Sequence, residues 1–125
     1  MILALSLSLA VCVPGAVSRT PLETVDAFTA AYNARDLAAV EAVVTPTARV
    51  SDGARVLSGT ELIANYRTRV FTVEPAYVSR PLQQLTAGDM VAQTEALTGG
   101  AAGAFTGLTV YRVDRGCIVE MSVNR

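Results

Sequence analysis

The feature that most constrains this chain is a change of hydrophobic period near Val70. Before it, apolar residues recur at helical spacing: Leu22, Val25, Phe28 and Tyr32, then Leu37, Val40 and Val44, then Leu62, Ile63, Tyr66 and Val70. After it, segments at 71–79, 82–87, 90–98, 105–114 and 117–124 alternate and are rich in Val, Thr, Tyr and Phe. Helices gathered early and strands gathered late predict an α+β domain, with three helices on one face of a curved, mostly antiparallel sheet. A chain of 125 residues has room for one such domain.

The helix ends are marked by their chemistry. Thr20-Pro21-Leu22-Glu23 offers a capping residue, a proline suited to the first helical position and the glutamate of a capping box. The first helix ends near Asn33-Ala34-Arg35. Asp36 caps a second, shorter helix, which Pro46 closes. Arg49-Val50-Ser51 and Arg55-Val56-Leu57 flank Asp52-Gly53, the pattern of a tight hairpin. Ser58-Gly59-Thr60-Glu61 is a second capping box and opens the third helix. Among the strands, Gly88-Asp89 and Asp114-Arg115-Gly116 mark turns, and Thr98–Ala104 reads as a plain glycine-rich hairpin connection.

The first eighteen residues read differently. Met1 to Val17 carries no charge, Ile2 to Val13 is rich in Leu, Ala, Val and Ser, and Ala16-Val17-Ser18 places small residues where a signal peptidase reads. The expectation is a signal peptide over 1–18, a folded domain over 19–125, and a secreted or periplasmic location. Pro14-Gly15 cuts the apolar run short of a membrane span, so no stable span is expected in the mature chain. A cut after Ser18 removes Cys12 and leaves Cys117 as a lone thiol, read as a small buried hydrophobe beside Ile118.

Composition excludes whole classes of chemistry. The chain has no His, and all ten basic residues are Arg. Imidazole-based triads, imidazole metal sites and lysine Schiff bases are therefore absent. A net charge of -1 without a basic stripe argues against nucleic acid. No metal-ligand cluster or glycine-rich phosphate loop stands out, and no cofactor is expected. Carboxylates, arginines, tyrosines and a thiol remain.

Three stretches, in order, carry a resemblance. Tyr32-Asn33-x-x-Asp36-Leu37 joins the first two helices. Ser58-Gly59-x-Glu61-x-Ile63 opens the third, with Tyr66-Arg67 near its end. Val110-Tyr111-Arg112-Val113-Asp114-x-Gly116-x-Ile118 lies close to the C-terminus. Together they resemble the nuclear transport factor 2-like superfamily, in its SnoaL-like, ketosteroid-isomerase-related branch. The resemblance implies a cone-shaped half-barrel, with the helices on the concave face of the sheet around an apolar pocket. It also implies a homodimer through the outer sheet face and a small apolar or aromatic ligand. It leaves the reaction open, because this fold hosts isomerases, cyclases, hydrolases, dehydratases and proteins without known chemistry.

In ketosteroid isomerases an aspartate moves the proton, and a tyrosine and a protonated aspartic acid stabilise the enolate. Position by position, the resemblance puts the base on Asp52, the tyrosine on Phe28 and the protonated acid on Thr109. Phe28 has no hydroxyl and Thr109 is a weaker donor, and losing one such donor commonly costs about a hundredfold in rate. Steroid isomerisation is therefore not expected. Asp52 has two readings, as general acid/base at the pocket or as a solvent-facing turn residue. Phe28, Tyr32, Tyr66, Thr109, Tyr111 and Met121 are the expected pocket lining. Met90, Ala92, Thr94 and Ala96 of one strand and Val119, Met121 and Val123 of the last are read as inward, which turns Glu95 and Glu120 toward solvent or a partner sheet.

Overall fold

The computed structural model describes residues 11–100 and 103–125, so most of the apolar leader and two residues of the glycine-rich loop, Ala101 and Ala102, lie outside the described residues. Three helices, α1 (Pro21–Asn33), α2 (Leu37–Glu41) and α3 (Gly59–Asn65), pack against a six-stranded curved sheet. Its strands are β1 (Val44–Asp52), β2 (Arg55–Ser58), β3 (Val78–Ala87), β4 (Met90–Thr98), β5 (Phe105–Asp114) and β6 (Cys117–Asn124), in the order β2-β1-β6-β5-β4-β3. All neighbours are antiparallel except β1 and β6. The expected α+β architecture is the observed one.

Both capping boxes form. Thr20 Oγ1 accepts from the Glu23 amide at 3.1 Å while Glu23 accepts from the Thr20 amide at 2.8 Å, and Ser58 and Glu61 repeat the exchange at the same distances. Each box satisfies helix-terminal donors that would otherwise lack a partner. Gly59 is required by close approach, because a Cβ there would stand 1.9 Å from the Thr45 carbonyl oxygen of β1. At its far end α3 widens into a π-helical turn, Tyr66–Val70, in which the Phe71 amide reaches back to the Tyr66 carbonyl at 2.8 Å. Such turns re-aim side chains relative to the helix. Here Tyr66 is buried and Phe71 stacks on it at 5.0 Å.

Four expectations need correction. The second helix stops at Glu41, and Val44 and Pro46 belong to β1. The β-branched run Val43-Val44-Thr45 favours strand, and Pro46 is tolerated because β1 leaves its ladder with β6 between Val44 and Arg49. Residues 71–77 form no strand: Phe71 is drawn to Tyr32 and Tyr66, and the chain turns through Glu74-Pro75 before β3 begins. β3 then runs unbroken from Val78 through Pro81, which an edge strand with an irregular register after Pro81 accommodates.

The third correction concerns faces. In β4 the inward set is Val91, Gln93, Glu95 and Leu97, and Met90, Ala92, Thr94 and Ala96 face outward. Gln93 is fully buried because its amide is paired, accepting from Gln84 at 2.7 Å and facing Thr29 at 3.5 Å. In β6, Met121 is buried and Val123 packs against the core, but a register shift gives Val119's expected place to Ile118, which is fully buried.

The fourth concerns Cys117, expected as a lone thiol only in a chain cut after Ser18; in the uncut chain it is buried but not free. It is bonded to Cys12, with a Cα–Cα separation of 5.9 Å. The segment from Cys12 to Arg19 lies against the β5–β6 turn: the Gly15 amide donates to the Arg115 carbonyl at 2.8 Å, and the Arg19 guanidinium donates to the carbonyls of Gly116 at 2.9 Å and Ala42 at 3.2 Å. No helix of the described residues is long and apolar enough to cross a membrane.

Candidate functional site: an aromatic cleft ending on a carboxylate

The interior surface of the sheet, α1 and the π-helical turn enclose a cleft. Its aromatic wall is a chain of ring contacts, with Phe28 edge-on to Tyr111 at 5.9 Å, Tyr32 edge-on to Tyr66 at 5.5 Å and Phe71 edge-on to Tyr32 at 5.8 Å. These offset and edge arrangements are the favoured ones for aromatic pairs. All six expected lining residues, Phe28, Tyr32, Tyr66, Thr109, Tyr111 and Met121, border this cleft.

The cleft has two parts. An inner chamber of about 70 Å³ is bordered by Glu95, Ser79 and Thr109 as well as the rings. An outer cavity of about 550 Å³ is lined by Val70, Tyr77, Phe105 and Thr106, and shares Tyr32, Leu97 and Arg125 with the inner chamber. A cavity of roughly 150 Å³ holds a benzene ring, and small-molecule sites span roughly 300–1,000 Å³. By these magnitudes the outer cavity can take the body of a small molecule. The inner chamber can take only a small terminal group.

Glu95 is the polar end of the cleft. It is 9% exposed. Ser79 Oγ donates a short hydrogen bond to Glu95 Oε1, and Thr109 Oγ1 donates to Oε2 at 2.8 Å. Ser79 is itself fixed by α1, because Asn33 Nδ2 donates to its carbonyl and its amide donates to Asn33 Oδ1, both at 2.8 Å. Sequence reasoning missed Glu95 by assigning it to the outer face. The signal that could have found it is the Val91-x-x-x-x-x-Leu97 phase of β4, whose branched ends mark the buried side.

The cleft's electrostatics follow from burial and from Glu95. Tyr32 is pushed up to about 12 by burial first, then by the negative charge of Glu95, with Arg125 opposing. Tyr66 is raised further, by burial and then by Tyr32 and Glu95, and Tyr111 is raised by burial and then by Glu95. All three phenols therefore remain protonated at neutral pH and present donors, not anions.

Asp52 stands at the end of β1, opposite Arg55 across the hairpin. Its Oδ1 is paired with Arg125 Nη1 at 2.9 Å, and its side chain is 28% exposed. Arg125, not Asp52, borders the cleft, and its guanidinium also lies 5.8 Å from the Phe105 ring centre. Among the described residues no three Cys, Asp or Glu side chains converge as metal ligands.

A family model for the SnoaL-like domain matches residues 25–121. No curated protein matches the chain. Among solved structures, an uncharacterised cystatin-fold protein from Novosphingobium aromaticivorans is similar at 20% identity, covering 86% of this chain and all (100%) of that one, with a TM-score of 0.75. A protein from Sinorhizobium meliloti, provisionally described as a polyketide cyclase, is 17% identical over 81% of this chain and 93% of its own, at a TM-score of 0.72. IdmH from Streptomyces antibioticus, with the same provisional description, is 19% identical over 84% and 91%, also at 0.72. At these identities the structural likeness speaks to fold alone.

Proposed function

The chain belongs to the SnoaL-like domain family, and from that premise and its cleft we propose that it binds a small, largely apolar or aromatic molecule. The observation that carries this reading is the match of scale and lining: a cavity of about 550 Å³ walled by Tyr32, Tyr77, Phe105 and Leu97. An aromatic guest would gain both area burial and ring contacts on such walls. Two structurally similar proteins carry the description of polyketide cyclase, so flat, oxygenated ring compounds are the first class to test. A thermal-shift and calorimetric screen of such compounds should return a ligand that raises the melting temperature with dose, as mass action requires. A screen in which only compounds without rings stabilise the protein would refute the reading.

A second reading makes the chain an enzyme with Asp52 as general acid/base in proton transfer. Its support is that Asp52 is paired with Arg125, which borders the cleft. Recovery of the stabilising ligand unaltered after incubation favours binding, and recovery of a product favours catalysis. We further propose that the chain is exported and pairs with a second copy through the outer sheet face. Leu85, Met90 and Leu108 are exposed on that face, and sedimentation at micromolar concentration tests the pairing.

A further inference from the structure

We infer that Glu95 selects the ligand: the cleft takes aromatic molecules that end in a hydrogen-bond donor, a phenol or enol hydroxyl, and discriminates against those that end in a carboxylate. This rests on the reading of the cleft as an aromatic binding site and adds the chemical class of its guest.

Two carboxylate oxygens offer about four acceptor positions. Ser79 and Thr109 occupy one on each oxygen. Both donors are neutral hydroxyls, and no arginine among the described residues forms an ion pair with Glu95. The carboxylate is thus buried with acceptor capacity to spare. A further donor is favourable there, since hydrogen bonds to ionised acceptors are about twice as strong as neutral ones. A second anion beside Glu95 meets like-charge repulsion, and Arg125 on the same lining is already paired with Asp52.

Size sharpens the inference. The inner chamber, about 70 Å³, has room for a hydroxyl and its attached carbon but not for a ring. The ring must stay in the outer cavity, between Tyr32 and Phe105, while its polar end points at Glu95. The two hydroxyls that hold Glu95 come from different strands, β3 and β5, and Asn33 of α1 locks the backbone of one of them. The carboxylate is therefore positioned before any guest arrives, which spares the ordering cost of binding.

The test uses three probes with one body: naphthol, methoxynaphthalene and naphthoate. Calorimetry on the full chain at neutral pH should show naphthol binding about tenfold or more tighter than methoxynaphthalene, with naphthoate weakest. In Glu95→Gln the naphthol preference should shrink several-fold and naphthoate binding should strengthen. The wild-type comparison needs no variant, and Ser79→Ala offers a second one that loosens the carboxylate and should narrow the naphthol preference. Equal binding of naphthol and its methyl ether by the wild type overturns the inference while the aromatic-cleft reading stands. So does an unchanged preference in a folded Glu95→Gln protein. Binding of none of the three overturns both.

Discussion

Asn33 grips Ser79 through a reciprocal pair of 2.8 Å hydrogen bonds, its amide nitrogen donating to the Ser79 carbonyl and its amide oxygen accepting from the Ser79 amide. The pair does for α1 and the edge strand β3 what a ladder does between strands, and it fixes the hydroxyl that holds Glu95. Asn33→Ala removes both bonds and leaves part-buried backbone groups without partners. The expected cost is about 1–3 kcal/mol, read as a lower denaturant midpoint with an unchanged slope. The same variant should weaken naphthol more than methoxynaphthalene, because it loosens Ser79 and with it the carboxylate. A loss equal for both probes would place Asn33 in the fold alone.

The disulfide supports a different link. Cys12 and Cys117 are 105 residues apart in sequence, and closing a loop of that span reduces denatured-state entropy by about 4–5 kcal/mol in the chain-entropy account. Cys12→Ser should lower the melting temperature by more than about ten degrees and leave Cys117 open to alkylation after unfolding. Non-reducing mass spectrometry of the protein recovered from cells and from the medium decides the processing question at the same time. A cut after Ser18 leaves a single thiol, whereas a chain that keeps Cys12 is two hydrogens lighter than its reduced form. An equal melting temperature for the oxidised and reduced full chain would remove the staple from the account.

Alkaline stability follows from the buried phenols. Unfolded tyrosine titrates near pH 10, and folded Tyr32 is pushed up to about 12 by burial, then Glu95, with Tyr66 and Tyr111 shifted in the same direction. Because the folded state holds these protons more tightly, their contribution is complete below about pH 10 and is lost as pH rises through the folded values. Tyrosinate absorbance from these rings should therefore rise together with loss of secondary structure. Ionisation of Tyr32, Tyr66 and Tyr111 near pH 10 in a protein that stays folded would contradict their burial.

For Asp52 the two readings separate cleanly. Its pair with Arg125 is partly exposed, so Asp52→Asn should change stability by no more than about 1 kcal/mol. If Asp52 transfers protons, that variant abolishes conversion of any compound the wild type turns over while still binding it. Retained conversion would leave Asp52 as a tether for Arg125.

The fold was legible where local chemistry is strong. Thr20-Glu23 and Ser58-Glu61 marked helix starts correctly, and the alternating runs after residue 82 marked strands. Legibility failed where tertiary contacts outvoted pattern. Val44 and Pro46 looked like a helix end because nothing in the sequence announces the partnership of β1 with β6. Phe71 and Tyr77 looked like strand residues because aromatic side chains favour strands, yet Phe71 packs on Tyr32 and Tyr66 and Tyr77 lines the mouth of the cleft.

The candidate site divides the same way. Its apolar lining could be read from helical spacing and the family resemblance. Its carboxylate was marked only by the phase of Val91 and Leu97, because Met90, Ala92, Thr94 and Ala96 make the less polar face, yet the face with Gln93 and Glu95 is buried. Gln84 and Thr29 satisfy the first, and Ser79 and Thr109 the second. These partners come from three other elements and are invisible in the sequence of β4. Departures of this kind, polar groups buried and held by partners from other elements, are expected where a site has been built.

Whether the aromatic cleft holds a ligand is read most plainly from a residue-resolved NMR titration of the isotope-labelled chain with naphthol. Saturable shifts are expected at Tyr32, Leu97, Phe105 and Thr109, the residues around the inner and outer cavities, with small changes on the outer face at Leu85 and Leu108. Shifts confined to that outer face, or none at millimolar ligand, would contradict binding in the cleft.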